Sequence, residues 1–199
     1  MNAQAKRMSS ALLVMDMQSA IVERFAGDRA TELLVRLRQA IDAARRAGVQ
    51  VIYVRVAFRE GAPEISARNL TFSRLAEGAP GLTEADPGSA IHQALAPTGA
   101  DVIVTKKRVS AFTGSDLELV LRSRGIEQLV LSGIATSGVV LSTLREAADR
   151  DFTLTVLSDG CLDSDHEVHR VLIEKVFPRQ ARVLDIEQWT TEILATPPT

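Results

Sequence analysis

The sequence predicts an α/β protein: a three-layer α/β/α sandwich around a mostly parallel, six-stranded sheet of the Rossmann-like kind. Apolar runs of strand length alternate with longer segments in which apolar residues recur at helical spacing. The first of these runs, residues 11–15, is apolar throughout, which is typical of a parallel strand covered by helices on both faces. With 199 residues, the chain is expected to form a single domain (1–199) that buries a core without disulfides or metals.

The first half of the chain begins with a strand at residues 11–15, followed by a helix at 28–47 and a second strand at 49–56. Residues 58–90 then interrupt the alternation, because they are rich in glycine and proline and favour short helices, one of them at 89–96. A loop-rich insert of this size in a compact domain is expected to be a substrate lid or a subunit contact.

The alternation resumes at residue 101 and continues through the rest of the chain. Two sequences, Ser115 to Glu118 and Ser164 to Glu167, have the Ser-x-x-Glu spacing of a capping box and are expected to begin helices. The remaining strands are predicted at residues 101–105, 127–132, 152–157 and 181–184, and the remaining helices at 115–124, 139–150, 164–177 and 186–194.

Composition and charge exclude several classes of partner. The formal net charge is −2, so no electrostatic attraction to nucleic acid or to an anionic membrane is expected. The N-terminal apolar run is too short for a signal peptide or a membrane span. The single Cys161 cannot form an internal disulfide, which favours a reducing compartment. We therefore expect a cytoplasmic protein with no nucleic-acid or membrane partner.

Sequence motifs for cofactors and metals are also missing. Neither a Gly-x-Gly-x-x-Gly fingerprint nor a P-loop occurs, so no nucleotide cofactor is expected. His166 and His169 lie on one face of a predicted helix, a spacing that two metal ligands can share, but no third ligand is apparent. We predict that both are packed or exposed helix residues and that the protein uses no cofactor or metal.

Polar residues follow several of the predicted strands, at the edge where parallel sheets bind ligands. Asp16 follows the first strand, Lys106 the third, a glycine-rich stretch at 133–138 the fourth and Asp159 the fifth. A buried carboxylate is costly unless it is paired or used, so Asp16 is either a structural cap or ion pair or part of a site. An ammonium nearby would keep it ionised, and free amides at a helix N-terminus stabilise a developing oxyanion.

An ordered set of four segments spans most of the chain: residues 12–18, residues 104–112 with 115–117, residues 131–136 with Thr143, Arg145 and Ala147, and residues 158–160 ahead of His169. In these segments the sequence resembles the isochorismatase-like hydrolase superfamily, also called the cysteine hydrolases, which includes nicotinamidases and carbamoylsarcosine amidases. The resemblance implies a three-layer α/β fold, often in homodimers or larger assemblies. It also implies a catalytic triad whose acid and amine are Asp16 and Lys106, with Lys107 as a competing position one residue out of register.

The resemblance leaves the third member of the triad unfilled. Family members place a Cys shortly after a Gly-x-x-Thr motif, and Val139 holds that position here. A non-proline cis peptide is implied at Ile134–Ala135, with the backbone from Ile134 to Val139 as an oxyanion cradle. The Asp-x-His metal motif of nicotinamidases has no counterpart, so a zinc-dependent nicotinamidase is not expected. The residues predicted to bind substrate are Gln18, Phe112, Ile134, Ala135, Thr136 and Gly138.

Three functions remain for such a chain without the thiol. Asp16 can act as acid and base with Lys106 as its partner, as in the isochorismatases proper, which protonate a vinyl ether without a Cys but carry Gly where this chain has Val139. A different nucleophile, Cys161 or a hydroxyl such as that of Ser137, can replace the thiol. Alternatively, the protein is catalytically silent and binds a ligand or serves as an oligomeric scaffold. We predict the first, a hydrolase of a small metabolite that forms a homodimer or higher oligomer, and keep the third as the alternative.

Overall fold

The first three strands follow one another outward to one edge of the sheet, and the last three follow one another outward to the other edge. The computed structural model describes residues 9–78 and 82–195, and within these the six strands pair in the order β3-β2-β1-β4-β5-β6. Every pairing is parallel, which confirms the predicted fold class. The carboxyl ends of β1 and β4, where the winding reverses, form the crevice in which such sheets bind ligands. The strands are β1 Ser9–Met15, β2 Gln50–Val56, β3 Val102–Lys106, β4 Ile126–Ile134, β5 Thr153–Leu162 and β6 Arg182–Leu184.

Helices cover both faces of the sheet and make the three layers. Along β1, Leu13 and Met15 pack into one apolar cluster with α4 and α5, whereas Leu12 and Val14 pack into a second cluster with α2 and α7. Successive strand residues point to opposite faces, which is why an apolar run without alternation predicts a sheet buried on both sides. The helices are α1 Ser19–Phe25, α2 Ala30–Arg46, α3 Leu70–Gly78, α4 Leu117–Ser123, α5 Leu141–Ala148, α6 His166–Val171 and α7 Ile186–Ala195.

None of the helices in the described part of the chain is long and apolar enough to cross a membrane.

Strands β4 and β5 run past their predicted carboxyl ends by two and five residues. Strands β4 and β5 continue past residues 132 and 157, and they pair again at Gly133 with Cys161 after a register shift. The polar residue Asp159 suggested a strand end, but its carboxylate accepts hydrogen bonds from Arg36 (2.6 Å) and from the backbone N–H of Ile186 (2.8 Å). Asp159 therefore ties α2 and α7 to the sheet and does not lie on a loop at the rim.

One of the two predicted capping boxes is displaced by one residue. Helix α6 begins after Asp165, whose Oδ1 accepts from the N–H groups of Glu167 (2.8 Å) and Val168 (3.1 Å). Helix α4 begins after Asp116, whose side chain makes no capping hydrogen bond, and the capping oxygen is that of Ser115, as predicted, because Ser115 Oγ accepts from the N–H of Leu117 at 3.2 Å. Aspartate is as good an N-cap as serine. Where a Ser and an Asp are adjacent, the sequence therefore does not determine at which of the two the helix begins.

The insert lies against the carboxyl end of β2. Its apolar side chains Phe58, Phe72 and Leu82 form a cluster of their own with Val56. Two short 3₁₀ turns, Pro87–Ser89 and Gln93–Leu95, replace the single helix predicted at 89–96, and α3 provides the longer helix. The insert thus stands over the same edge of the sheet at which Asp16 and Lys106 emerge.

A close backbone approach joins β1 to β4 just before Asp16. Gly133 has a φ of 125°, and a Cβ built there would lie 1.9 Å from the carbonyl oxygen of Met15. No L-amino acid with a side chain fits such a position, because both the conformation and the contact exclude it.

We expect Gly133→Ala to lower the free energy of unfolding by about 3 kcal/mol, because the backbone of Met15 must move to admit the methyl group. Urea denaturation measures the change. Gly99→Ala is the matched control, since nothing lies within 4 Å of a Cβ at Gly99. An equal cost at Gly99 and Gly133 would contradict the steric argument.

Candidate active site

Asp16 stands directly after β1 with its backbone in the left-handed region. Its φ is 55°, and its N–H donates to the carbonyl of Val54 at 2.8 Å. The peptide is thereby fixed to β2 while the side chain turns away from the strand. Only 9% of the Asp16 side chain is exposed to solvent.

The partner of Asp16 is Lys106, the last residue of β3. Lys106 Nζ lies 2.9 Å from Asp16 Oδ2, and it also donates to the carbonyl of Arg108 at 2.9 Å. Its side chain is 2% exposed, so both charges are buried. The competing Lys107 points elsewhere, because its ammonium donates to the carbonyl of Ala57 at 2.6 Å and contacts Glu84 of the insert.

The two oxygens of the Asp16 carboxylate differ in environment. Oδ2 contacts Lys106, whereas Oδ1 is buried and has no hydrogen-bond partner among the described residues. Burial raises the pKa of Asp16 above its ordinary value, and the Lys106 ammonium opposes that rise only in part. An acid in this state holds its proton more strongly than a solvated aspartate and has one oxygen free to exchange it.

The pair lies at the base of a largely apolar cavity of about 560 Å³. Three parts of the chain build its walls: α1, the insert, and the turn that follows β4. The lining residues are Asp16, Ala20, Ile21, Glu23, Arg24, Phe25, Val56, Thr71, Phe72, Leu82, Lys106, Val109, Ile134, Ala135, Gly138 and Val139.

The turn after β4 has an unusual backbone. The Ile134–Ala135 peptide is cis, as the resemblance implies, and a π-helical turn follows at Thr136–Val140. The N–H of Gly138 donates to the carbonyl of Ala135 at 3.0 Å. The amide of Gly138, expected to face the substrate, is therefore engaged within the turn, which corrects that part of the predicted cradle.

Val139 is the residue that the resemblance assigns to the nucleophile position. It is 2% exposed, lines the cavity and packs into the core cluster beneath it. Cys161 does not take over that role by position, since it lies within β5 and does not line the cavity. Burial raises the pKa of the Cys161 thiol, and a thiol that is not ionised is a poor nucleophile.

Three residues predicted to bind substrate do not line this cavity. Both ends of the Gln18 amide are used by the backbone of Val56, at 2.8 and 2.9 Å, so Gln18 joins β1 to β2. Phe112 packs in the core beside Phe152. Thr136 is fully buried, with its hydroxyl 2.8 Å from Nδ1 of His169. These side chains support the site from behind, and their role in substrate binding stays a prediction.

Asp163 is a supporting residue that no sequence motif singles out. Its carboxylate accepts from the N–H of Ser137 at 2.8 Å, which fixes the start of the π-helical turn. Although burial opposes ionisation, hydrogen bonds from Ser137 hold the pKa of Asp163 below its ordinary value. The stretch before α6 contains several aspartates, and only the fold shows which of them meets the turn.

Within the described residues, no group of three or more His, Cys, Asp or Glu side chains could hold a metal ion. His169 hydrogen-bonds Thr136, whereas His166 is exposed at the start of α6.

A doubly wound parallel sheet with a buried carboxylate–ammonium pair beyond the carboxyl ends of its strands defines the class, an α/β protein with a ligand cavity at that edge of the sheet. Residues 10–188 match the isochorismatase domain, and the chain belongs to the isochorismatase family, a family of hydrolases. The matched residues cover nearly all of the described chain.

Individual relatives agree with this assignment. The chain is 34% identical over 182 residues to the uncharacterized isochorismatase family protein YecD of Escherichia coli O157:H7, covering 90% of this chain and 94% of that protein. It is 32% identical over 201 residues to the ureidoacrylate amidohydrolase RutB of Stutzerimonas stutzeri, covering 92% and 77%. The crystal structure of a cysteine hydrolase from Pseudomonas syringae pv. phaseolicola superposes with a TM-score of 0.85 at 25% identity, covering 94% and 93%.

We expect Lys106→Met to lower the free energy of unfolding by about 3–5 kcal/mol at neutral pH, because Asp16 stays buried without its counterion. The cost grows with pH. The raised pKa means that the folded state keeps the proton of Asp16 to higher pH than the unfolded chain does. The stability that the protonation of Asp16 contributes is complete below the pKa that Asp16 has in the unfolded chain. It is lost as pH rises through the pKa that Asp16 has in the folded protein. That second pKa is higher in Lys106→Met than in the wild type, because the ammonium is missing.

Urea denaturation of both proteins at about pH 4 and about pH 8 checks this expectation. Lys107→Met is the matched control, because its partly exposed pair with Glu84 is worth about 1 kcal/mol or less. A penalty for Lys106→Met that does not change with pH would argue against a buried, proton-linked pair.

Proposed function

We propose that the protein hydrolyses a small metabolite by acid–base chemistry, with Asp16 as the acid and base, Lys106 as its electrostatic partner and water as the nucleophile. The observation that carries the proposal is the 2.9 Å contact between these buried groups at the base of the cavity, with Oδ1 of Asp16 left without a partner.

In the proposed reaction, protonated Asp16 gives its proton to the substrate, for example to the terminal carbon of a vinyl ether. The resulting cation takes up a water molecule, whose released proton returns to Asp16. The hemiketal formed in this way then collapses: its hydroxyl group loses a proton as the C=O bond forms, the C–O bond to the leaving group breaks, and the leaving oxygen takes up a proton, which gives a carbonyl compound and an alcohol. The raised pKa of Asp16 suits a group that must carry a proton at the start. Lys106 stabilises the carboxylate that remains after the first proton transfer.

The aliphatic side chain at residue 139 supports a route that needs no covalent intermediate. A Val cannot attack a carbonyl carbon, and the buried Cys161 lies outside the cavity. RutB of Stutzerimonas stutzeri is a ureidoacrylate amidohydrolase, so ureido acids and small amides belong in the substrate screen beside vinyl ethers.

The second candidate function is ligand binding without turnover. Val139 and the engaged amide of Gly138 favour it, because both remove features on which a thiol-dependent hydrolase relies. The uncommitted oxygen of Asp16 favours catalysis instead. Turnover of any screened substrate decides between the two.

We expect Asp16→Asn to reduce turnover by about 10²–10⁴-fold, the usual contribution of a general acid or base. The assay screens isochorismate, ureido acids and small amides with the wild type and the variant. Asp42→Asn is the control, because that aspartate is 48% exposed in a surface ion pair. Turnover that survives Asp16→Asn would disprove the acid–base assignment, and turnover lost in Cys161→Ala would favour a displaced nucleophile.

We expect Val139→Cys to place a reactive thiol in the cavity and to introduce hydrolysis of a ureido acid or amide above the wild-type level. Iodoacetamide labelling followed by mass spectrometry should find one modified thiol in the variant and none in the wild type, where Cys161 is buried and its pKa is raised. Asp16→Asn in the variant background should slow the labelling. If the introduced thiol reacts no faster than the thiol of Cys161, the cavity does not activate a nucleophile.

The assembly and location also belong to the proposal. We propose a homodimer or higher oligomer, supported by the exposed side chains of Val35 and Leu194, which border a groove between α2 and α7. We also propose a cytoplasmic location, supported by the single cysteine, which cannot form an internal disulfide. Light scattering of the purified protein tests the assembly, and a monomeric mass at micromolar concentration would contradict it.

A further inference from the structure

The cavity has a second cationic residue, far along α1 from its base. Arg24 lines the cavity together with Ile21 and Phe25 of the same helix. It stands five residues after Ser19, where α1 begins, which is about 7.5 Å along the helix axis. It is exposed to solvent, as a residue at the mouth of the cavity must be to meet an incoming ligand.

Arg24 is a cation that has no anionic partner in the described part of the chain. Its guanidinium lies over the ring of Phe25, with Cζ 5.6 Å from the ring centroid. Among the described residues it makes no hydrogen bond or ion pair, whereas the other cation of the lining, Lys106, contacts Asp16. The planar guanidinium therefore keeps its N–H donors available, resting on a ring that also lines the cavity.

The chemistry of this arrangement selects the ligand. A guanidinium with free donors binds a carboxylate through two parallel hydrogen bonds. Because Arg24 is already stacked on Phe25, its side chain loses less conformational freedom when the carboxylate binds. Glu23 also lines the mouth and disfavours a ligand with many negative charges. Between the mouth and the base, the walls are apolar, with Ile21, Phe72 and Leu82 among them.

We propose that Arg24 binds a carboxylate of the substrate at the mouth of the cavity. The substrate is then a small organic acid whose apolar body separates one carboxylate from the group that reaches Asp16. This inference rests on the proposed function, in that it takes the cavity above Asp16 and Lys106 as the substrate site. It assigns to Arg24 a role in specificity and none in the chemical step.

Binding of matched anionic and neutral probes tests the proposal without any turnover. Benzoate against benzamide, and crotonate against crotonamide, are titrated into the protein at low ionic strength and followed by calorimetry. We expect each carboxylate to bind at least about fivefold more tightly than its amide, and this preference to disappear in Arg24→Met. Arg24→Lys should retain part of it, Glu23→Gln should increase it, and added salt should reduce it.

Arg68→Met is the matched control, because that exposed arginine lies in the insert and does not line the cavity. In Arg68→Met, the affinity for each carboxylate relative to its amide should equal that of the wild type. Carboxylates that bind no more tightly than their amides, or a preference that survives Arg24→Met, would overturn the proposal. If the preference depends on Arg24 but turnover survives Asp16→Asn, the acid–base function fails while the anion site stands.

Discussion

The contact between Asp16 and Lys106 is the interaction on which the arrangement of the cavity depends. Two charges that are almost fully buried are tolerable only if they stay together, because separating them would leave each desolvated and unpaired. The surrounding structure enforces this. Asp16 is held to β2 through Val54, and the carbonyl of Arg108 accepts a hydrogen bond from the ammonium of Lys106. The cost of burying the pair gives Asp16 the raised pKa that a proton donor needs.

The turn after β4 has a backbone that is held from behind and an aliphatic side chain at its centre. The Ile134–Ala135 peptide is cis, and Asp163 and His169 hold Ser137 and Thr136 from behind. Val139 offers only methyl groups to the cavity. Under the proposed function, the chemistry therefore comes from Asp16 and not from this turn.

The fold was predictable from the sequence because it follows from local patterns. Continuous apolar runs gave the strands, and the position of Asp16 and Lys106 directly after two of them gave the pair. The long-range contacts were not predictable. Gln18 is bonded to Val56, which lies 38 residues away, and nothing local distinguishes that role from lining a pocket. Cys161 lies inside a strand because β4 and β5 pair again after a register shift, which strand propensity does not reveal.

The neighbouring positions of Lys106 and Lys107 have a consequence for how the protein can diverge. Consecutive residues at a strand end point in opposite directions, so Lys106 contacts the carboxylate of Asp16, whereas Lys107 donates to the carbonyl of Ala57 and contacts Glu84 of the insert. The insert is thus anchored one peptide unit from the Asp16–Lys106 pair, without sharing any side chain with it. The sequence of the insert can therefore change during evolution, and the range of substrates with it, as long as an acceptor for Lys107 remains. The geometry of the Asp16–Lys106 pair is then left unchanged.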